Sequence, residues 1–493
     1  MRRLAIAAAV VVAAILILIL LLPDYLLKGT YLREKLQKGP DEFFFDYASA
    51  SSPSPGVVHI RGLILRDRDR ATEWAFQADE VRLRYSVLAL ARRRVQILEV
   101  KGSGLSFRAR SRPKPGAKKP DAQHLPAIPG FGPEPPPRET GPRPPKKGSP
   151  WTMDVGGIDL PLREIWVNHV RWSGVGNLTG GFELKPGRTA GIGPAVVDIA
   201  DGILHDEGVT ILTATKGKIE GAFPSFAVKE YPGSEVLKIV EGRIQLGGRL
   251  SGLRFLSDAF PGGQLRGGAG TAQVDLRLEK GKGSGTLNFD SNGIQLSARK
   301  SEIRGSLEGR LRLRDVEIGE KRAVLSGSRV ELKDVVVVGS PTKTPWVAAL
   351  NLPEARYRSG PPQLTARVEG TMSNARPLLA LAAGVPEWAA KRLSKDPLQL
   401  EVRGSAGGGA FELQEAKATA DDLSIEGRFR GRKGQEQGIF LVDTGLLNLG
   451  IAVGGEDPGV KVFGPKKWYQ KAVAAWDAQL PDPSKSPRPA TAR

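Results

Sequence analysis

Apolar and charged residues alternate along most of this chain. In AQVDLRLE, Val274, Leu276 and Leu278 occupy every second position against Asp275, Arg277 and Glu279. LEGRLRLR sets Leu307, Leu311 and Leu313 against Glu308, Arg310, Arg312 and Arg314. LTARVEG, LQLEVRG and LSIEGRFRG continue the pattern through Leu364 and Val368, then Leu398, Leu400 and Val402, then Leu423, Ile425 and Phe429. Successive side chains of a strand point to opposite faces, so these segments predict a sheet with one apolar and one charged face. Gly-rich turns follow most of them, which predicts hairpins in an antiparallel meander. The repetition is one of pattern, with no fixed-period motif.

The same alternation fills Trp74–Arg110, where Val81, Leu83, Val95 and Ile97 form the apolar side and SVLALA interrupts as a bend. Upstream, FFFDYASA and VVHIRGLILRD predict two strands joined by SSPSPG, after an amphipathic helix over DYLLKGTYLREKLQKG. Residues 111–150 hold 13 prolines and no sustained apolar period, the composition of a solvated, extended linker. Two later segments leave the β rhythm. Arg376–Ser394 predicts a pair of short helices around Pro386, and Lys466–Leu480 a helix with Trp468, Ala472, Trp476 and Leu480 on one stripe. Both stripes are expected to pack on the sheet. A polar, disordered tail closes the chain.

At the amino terminus, Arg2 and Arg3 precede nineteen residues, Leu4 to Leu22, without a polar side chain. A helix of that length runs roughly 28 Å, close to the hydrocarbon thickness of a bilayer. The run ends in Leu-Leu-Leu-Pro, with no small-residue cleavage pattern, so it predicts an uncleaved anchor over a signal peptide. The positive-inside count does not settle its orientation, because Lys28, Arg33, Lys35 and Lys38 follow the other end. The expected division is a tail over 1–3, a transmembrane helix over 4–22, a juxtamembrane helix and first β region over 23–110, and the linker over 111–150. The main β region follows over 151–463, then the C-terminal helix and tail over 464–493.

Composition narrows the chemistry. The 493 residues are enough for two or three cores. Seventy-two Lys and Arg against 53 Asp and Glu give a net charge of +19, which attracts polyanions and anionic lipid. Nucleic-acid binding has only this charge behind it, since no basic stripe carries interleaved aromatics. With no cysteine there are no disulfides and no thiolate chemistry. The four histidines, His59, His124, His169 and His205, show no metal-ligand spacing. DIADGILHDEG clusters carboxylates but does not match an EF-hand loop, and a charged loop accounts for it equally well. SGVGNLTGGFEL is followed by a strand where a dinucleotide fingerprint requires a helix. No other nucleotide, hydrolase or kinase motif is present. No catalytic residue, metal ligand or cofactor is assigned.

One resemblance emerges from these pieces. The anchor, the short helix, PGVVHIRGLILRD and the long WAFQADEVRLRYSVLALARRRVQILEVKG stretch together resemble the amino-terminal region of the AsmA-like family. These are relatives of the TamB and YhdP envelope proteins in the repeating β-groove superfamily. The similarity is clearest over residues 1–110 and continues through LREIWVNHVRWSG and GIFLVDTGLLNLGIAV. It implies a single-pass inner-membrane protein with its bulk in the periplasm. It also implies an elongated, curled sheet whose apolar groove carries phospholipid toward the outer membrane and supports outer-membrane integrity. Val81, Leu83, Val95, Ile97, Val274, Leu276, Leu278, Leu311, Leu313, Leu398, Leu400 and Val402 would line the groove. Membrane lipids, and possible envelope proteins, would be its partners. Two rivals stand beside this expectation. One is an interaction protein of closed β-sandwiches that binds another envelope component; the other is an envelope hydrolase.

Overall fold

The computed structural model describes residues 43–68, 72–112, 127–131, 151–185, 189–206, 208–227, 230–231, 233–253, 263–298, 301–317, 322–338, 346–358, 363–374, 397–407, 410–432, 435–455 and 458–478, together with Leu27 and Glu34. These residues are mostly β, with 25 strands in one antiparallel-rich sheet. The chain divides into two compact units, Met1–Arg249 with Gln273–Gly283, and Leu250–Ala272 with Ser284–Arg493.

In the first unit, β1 (Phe44–Asp46) and β2 (Ser49–Ser54) lie end to end along β3 (Val57–Arg68), which pairs with β4 (Thr72–Tyr85). The SVLALA bend is a single helical turn, α1 (Val87–Ala91), whose N-cap Ser86 accepts from the Ala89 N–H. After it, β5 (Arg94–Ser103) and β6 (Leu105–Ser111) run as one interrupted strand along β4. Gly104 makes the break: its φ is +67, and a Cβ there would stand 2.0 Å from Asp79 Oδ2. Then come β7 (Thr152–Val167), β8 (Val170–Lys185), β9 (Thr189–Asp206), β10 (Val209–Ala227) and, after a 3-10 turn at Gly233–Ile239, β11 (Glu241–Leu250).

The meander expected from the sequence is interrupted between β6 and β7. Both β5 and β6 pair with β7 in parallel, Arg94 with Thr152 at one end and Ala109 with Val167 at the other. Parallel neighbours need a long connection to return the chain to the starting end. The Pro-rich stretch provides it, and so joins neighbouring strands of one sheet. The stretch is also not solvated throughout. Ile128 is 2% exposed, Arg66 Nη1 donates to the Gly130 carbonyl, and the Phe131 ring lies 4.7 Å from the Arg68 guanidinium carbon. An Ile-Pro-Gly-Phe run within a polar linker is enough apolar surface to dock.

The remaining strands are β12 (Gly263–Arg266), β13 (Ala269–Glu279), β14 (Lys282–Ala298), β15 (Ser301–Glu317), β16 (Arg322–Val324), β17 (Ser328–Val337) and β18 (Trp346–Arg358). They continue as β19 (Gln363–Met372), β20 (Leu398–Gly407), β21 (Ala410–Ala420), β22 (Leu423–Arg432), β23 (Gln435–Asp443), β24 (Asn448–Gly454) and β25 (Gly459–Lys461). From β18 to β25 each strand is antiparallel to the next. The short β16 is inserted between β15 and β18 beyond the end of β17.

The C-terminal helix α2 (Pro465–Ala478) forms where its stripe predicts. Trp468, Ala472 and Trp476 face the sheet, joined by Tyr469 and Val473, which the stripe had not included. No helix among the described residues is long and apolar enough to cross a membrane. The expected anchor Leu4–Leu22 with Arg2 and Arg3, the helices of 376–394 and the tail lie outside the described residues. So does most of the juxtamembrane helix.

Candidate functional site

Each unit collects its apolar strand residues on one face. In the first, strand register places Ile60, Val81 and Gly102 in one row across β3, β4 and β5, and Leu160, Leu178, Val197 and Ile219 in another across β7 to β10. Twelve buried residues, Val81, Val100, Leu160 and Trp172 among them, form its core, and Leu83 and Ile97 pack against it partly exposed. The Trp172 indole lies flat over small residues of β8 and β9: a Cβ on Gly202 would stand 2.3 Å from its Nε1, and one on Gly176 3.1 Å from its ring edge. In the second unit, Trp346, Ala348, Met372, Leu398, Val442, Leu449 and Ile451 form a tight cluster with Leu400 beside it. Next to that cluster, Phe411, Phe429 and Phe440 make an aromatic ladder across β21, β22 and β23, with centroids 5.1 and 6.5 Å apart. These rings lie over Gly427, Gly431 and Gly438, where any Cβ would come within 2.7 Å of a ring carbon.

The predicted lining residues therefore divide into two classes. Val81, Leu276, Leu278 and Leu398 are buried against protein, Leu398 to 1% exposure. Leu83, Val95, Ile97, Val274, Leu311, Leu313, Leu400 and Val402 are only half-buried. These eight keep part of their surface exposed. The sequence reading named Phe429 as an apolar strand position but missed Trp172, Phe411 and Phe440. Gly at alternate strand positions beside an aromatic was the signal that could have found them.

The opposite faces are ionic. Arg243 forks onto Asp275 at 2.9 and 2.7 Å, and its hydrogen bonds hold the Asp275 carboxyl below the usual carboxylate range. Glu164, nearly buried, accepts from Ser106 Oγ at 2.6 Å and from Arg108 Nε at 2.9 Å, with Arg171 Nε also 2.6 Å away. Burial pushes this carboxyl up, but the Ser106 hydroxyl and the two guanidiniums outweigh it and hold it below its ordinary value. Glu73 is fully buried between Arg68 and Arg110. Glu164 and Glu73 are thus each held by two guanidiniums.

A cavity of about 420 Å³ also lies on an ionic face, between α2 and β19–β22, lined by Arg367, Arg403, Lys417, Glu426, Arg428 and Tyr469. Burial, then Glu426, pushes the Tyr469 phenol up. Cations and carboxylates both line the cavity, with Ala416 and Val473 beside them.

The other sequence candidates separate. DIADGILHDEG lies in β9 as far as Asp206, with Asp198 and Asp201 exposed, and His205 Nδ1 sits 3.2 Å from Thr210 Oγ1. Among the described residues no three His, Asp or Glu side chains converge on a metal-sized site. SGVGNLTGGFEL lies within β8. No protein-family model, no curated protein and no solved structure matches the chain.

Proposed function

We propose that this is a non-enzymatic, lipid-handling protein of the cell envelope, related to the AsmA-like family. Its amino-terminal run anchors it in the inner membrane, and acyl chains lie against the apolar faces of an elongated, curled β-groove in the periplasm. One observation supports this reading above the others. Apolar residues of successive strands share one face in each unit, and eight of the twelve lining positions are not fully covered by protein. Burying such surface against a hydrocarbon chain gains ~25 cal/mol per Å², the same return as a protein core. The ionic faces would meet water, and phospholipid would move toward the outer membrane.

The test is a photo-crosslinking amino acid placed singly at Leu83, Leu311 and Val402 in cells, with Arg82 and Arg403 as outward controls. Phospholipid adducts at the inward positions alone are the expected result. Their absence at all three, with adducts on a control lipid carrier, would sink the proposal. The closed-interior rival has its own support in the tight Trp346–Leu398–Leu449 cluster. A probe at Leu398 should therefore stay free of lipid under either reading.

A further inference from the structure

The outer face of the second unit carries a concentration of positive charge that carboxylates among the described residues do not neutralise. Arg310, Arg312 and Arg314 take alternate positions of β15, so their side chains leave the sheet on one side from Cα atoms roughly 6.8 Å apart. Two strands away, Arg356 and Arg358 end β18. Register ties the strands together: Arg314 pairs with Val324 and Val324 with Arg356, while Arg322 stands directly opposite Arg358. Arg310 likewise stands directly opposite Arg329. Like charges directly across a strand pair are destabilising unless something neutralises them.

Elsewhere the protein compensates such pairs. Arg367 faces Arg403 but bonds Glu369 and Glu401, and Lys333 bonds Glu308 and Glu331. Within the patch, Arg322 is held by Glu317 and Arg329 by Glu331. Arg310, Arg312, Arg314, Arg356 and Arg358 are all exposed and have no ion-pair partner among the described residues.

We propose that this patch docks on a phosphate-bearing membrane surface rich in anionic phospholipid. Guanidinium forks match phosphate oxygens bidentately. The cations lie in two rows about two strand spacings apart on one sheet face, an array that can meet several head groups at once. Among the described residues no aromatic side chain stands between them on that face, so bases would have nothing to stack on, and no helix is present there to enter a groove. The proposal does not depend on the apolar faces holding lipid.

The full chain is reconstituted into neutral phosphatidylcholine liposomes and mixed with fluorescent vesicles of phosphatidylcholine alone or with about one-third phosphatidylglycerol. Capture is read by co-flotation. Capture is expected only with phosphatidylglycerol, and it should fade at high salt as the screening length falls to ~3 Å. The double change R314Q/R356Q should weaken it by roughly fivefold per arginine. R61Q/R277Q, an equal loss of charge at exposed, ion-paired positions, should leave it unchanged. R310Q/R358Q provides a second patch pair if the first perturbs the circular dichroism spectrum. Equal capture of neutral vesicles, or equal losses in the patch and control doubles, overturns the proposal. So does tight binding to heparin or a single-stranded oligonucleotide without vesicle capture, which would assign the patch to a glycan or a nucleic acid.

Discussion

Glu164 shows what one residue on the charged face can do. By alternation it reads as one more solvated carboxylate, yet it is buried beneath Arg108 and Arg171 and bonded by Ser106. The sequence could not reveal this, because its partners come from β6 and β8, 56 and 58 residues before it in the cases of Arg108 and Ser106. Burial raises its pKa and the three donors lower it further, so the folded value lies below the unfolded one. A carboxylate of that kind stabilises fully above its unfolded pKa of about 4.3 and loses its contribution as pH falls through the folded value. Melting temperature followed from neutral pH downward should therefore drop below about pH 4.3 more steeply in the native chain than in E164Q. At neutral pH the variant should be less stable by about 1–3 kcal/mol, the worth of charge-assisted bonds. Parallel curves for the two proteins would show that the ion pair contributes nothing.

Between residues and domains stand the strands, and here alternation was most informative. It located Leu276, Leu311 and Leu398 on apolar sides, and the Trp468–Trp476 stripe located α2. It did not reveal where strands break or bulge, because those events depend on what lies across the ladder. Gly104 ends β5 because Asp79 occupies the place of a Cβ, and Gly202 is small because Trp172 lies across it. Neither constraint has a local period. The two kinds of strand glycine give a paired prediction. G202A would put a methyl group 2.3 Å from the indole Nε1 and 2.8 Å from the Ser173 carbonyl, whereas G221A meets nothing within 4 Å. The first should cost about 1–3 kcal/mol in urea unfolding and shift tryptophan emission as the ring is displaced. The second should change stability by no more than ~0.5 kcal/mol. Equal stabilities would mean that the indole does not depend on its glycine bed.

For the molecule as a whole, composition separated the Pro-rich stretch from the strands around it but could not reveal what it connects. Residues on both sides belong to one unit, and the parallel pairing of β6 with β7 fixes the distance the connection must cover. From the Ala109–Val167 pair back to the Arg94–Thr152 pair is fifteen strand residues, roughly 50 Å at ~3.3 Å each. A fully extended chain covers at most ~3.6 Å per residue. Forty residues, 112 to 151, separate the two strands, far more than the crossing needs. Deleting 113–126 leaves 26 of them and keeps the docked Ile128–Phe131 run, so the sheet should form with its register intact. Deleting 113–140 leaves 12, which reach ~43 Å at full stretch and cannot span the gap. That chain would have to give up the β6–β7 ladder, and with it the Ser106–Glu164 and Arg108–Glu164 bonds. Limited proteolysis distinguishes the outcomes: within β6, β7 and β8 the short deletion should be cut no faster than the native chain, and the long one should be cut faster. If both deletions are equally resistant, β6 and β7 are not parallel neighbours. The apolar face of the first unit, which runs continuously across that seam, would then have to be divided there.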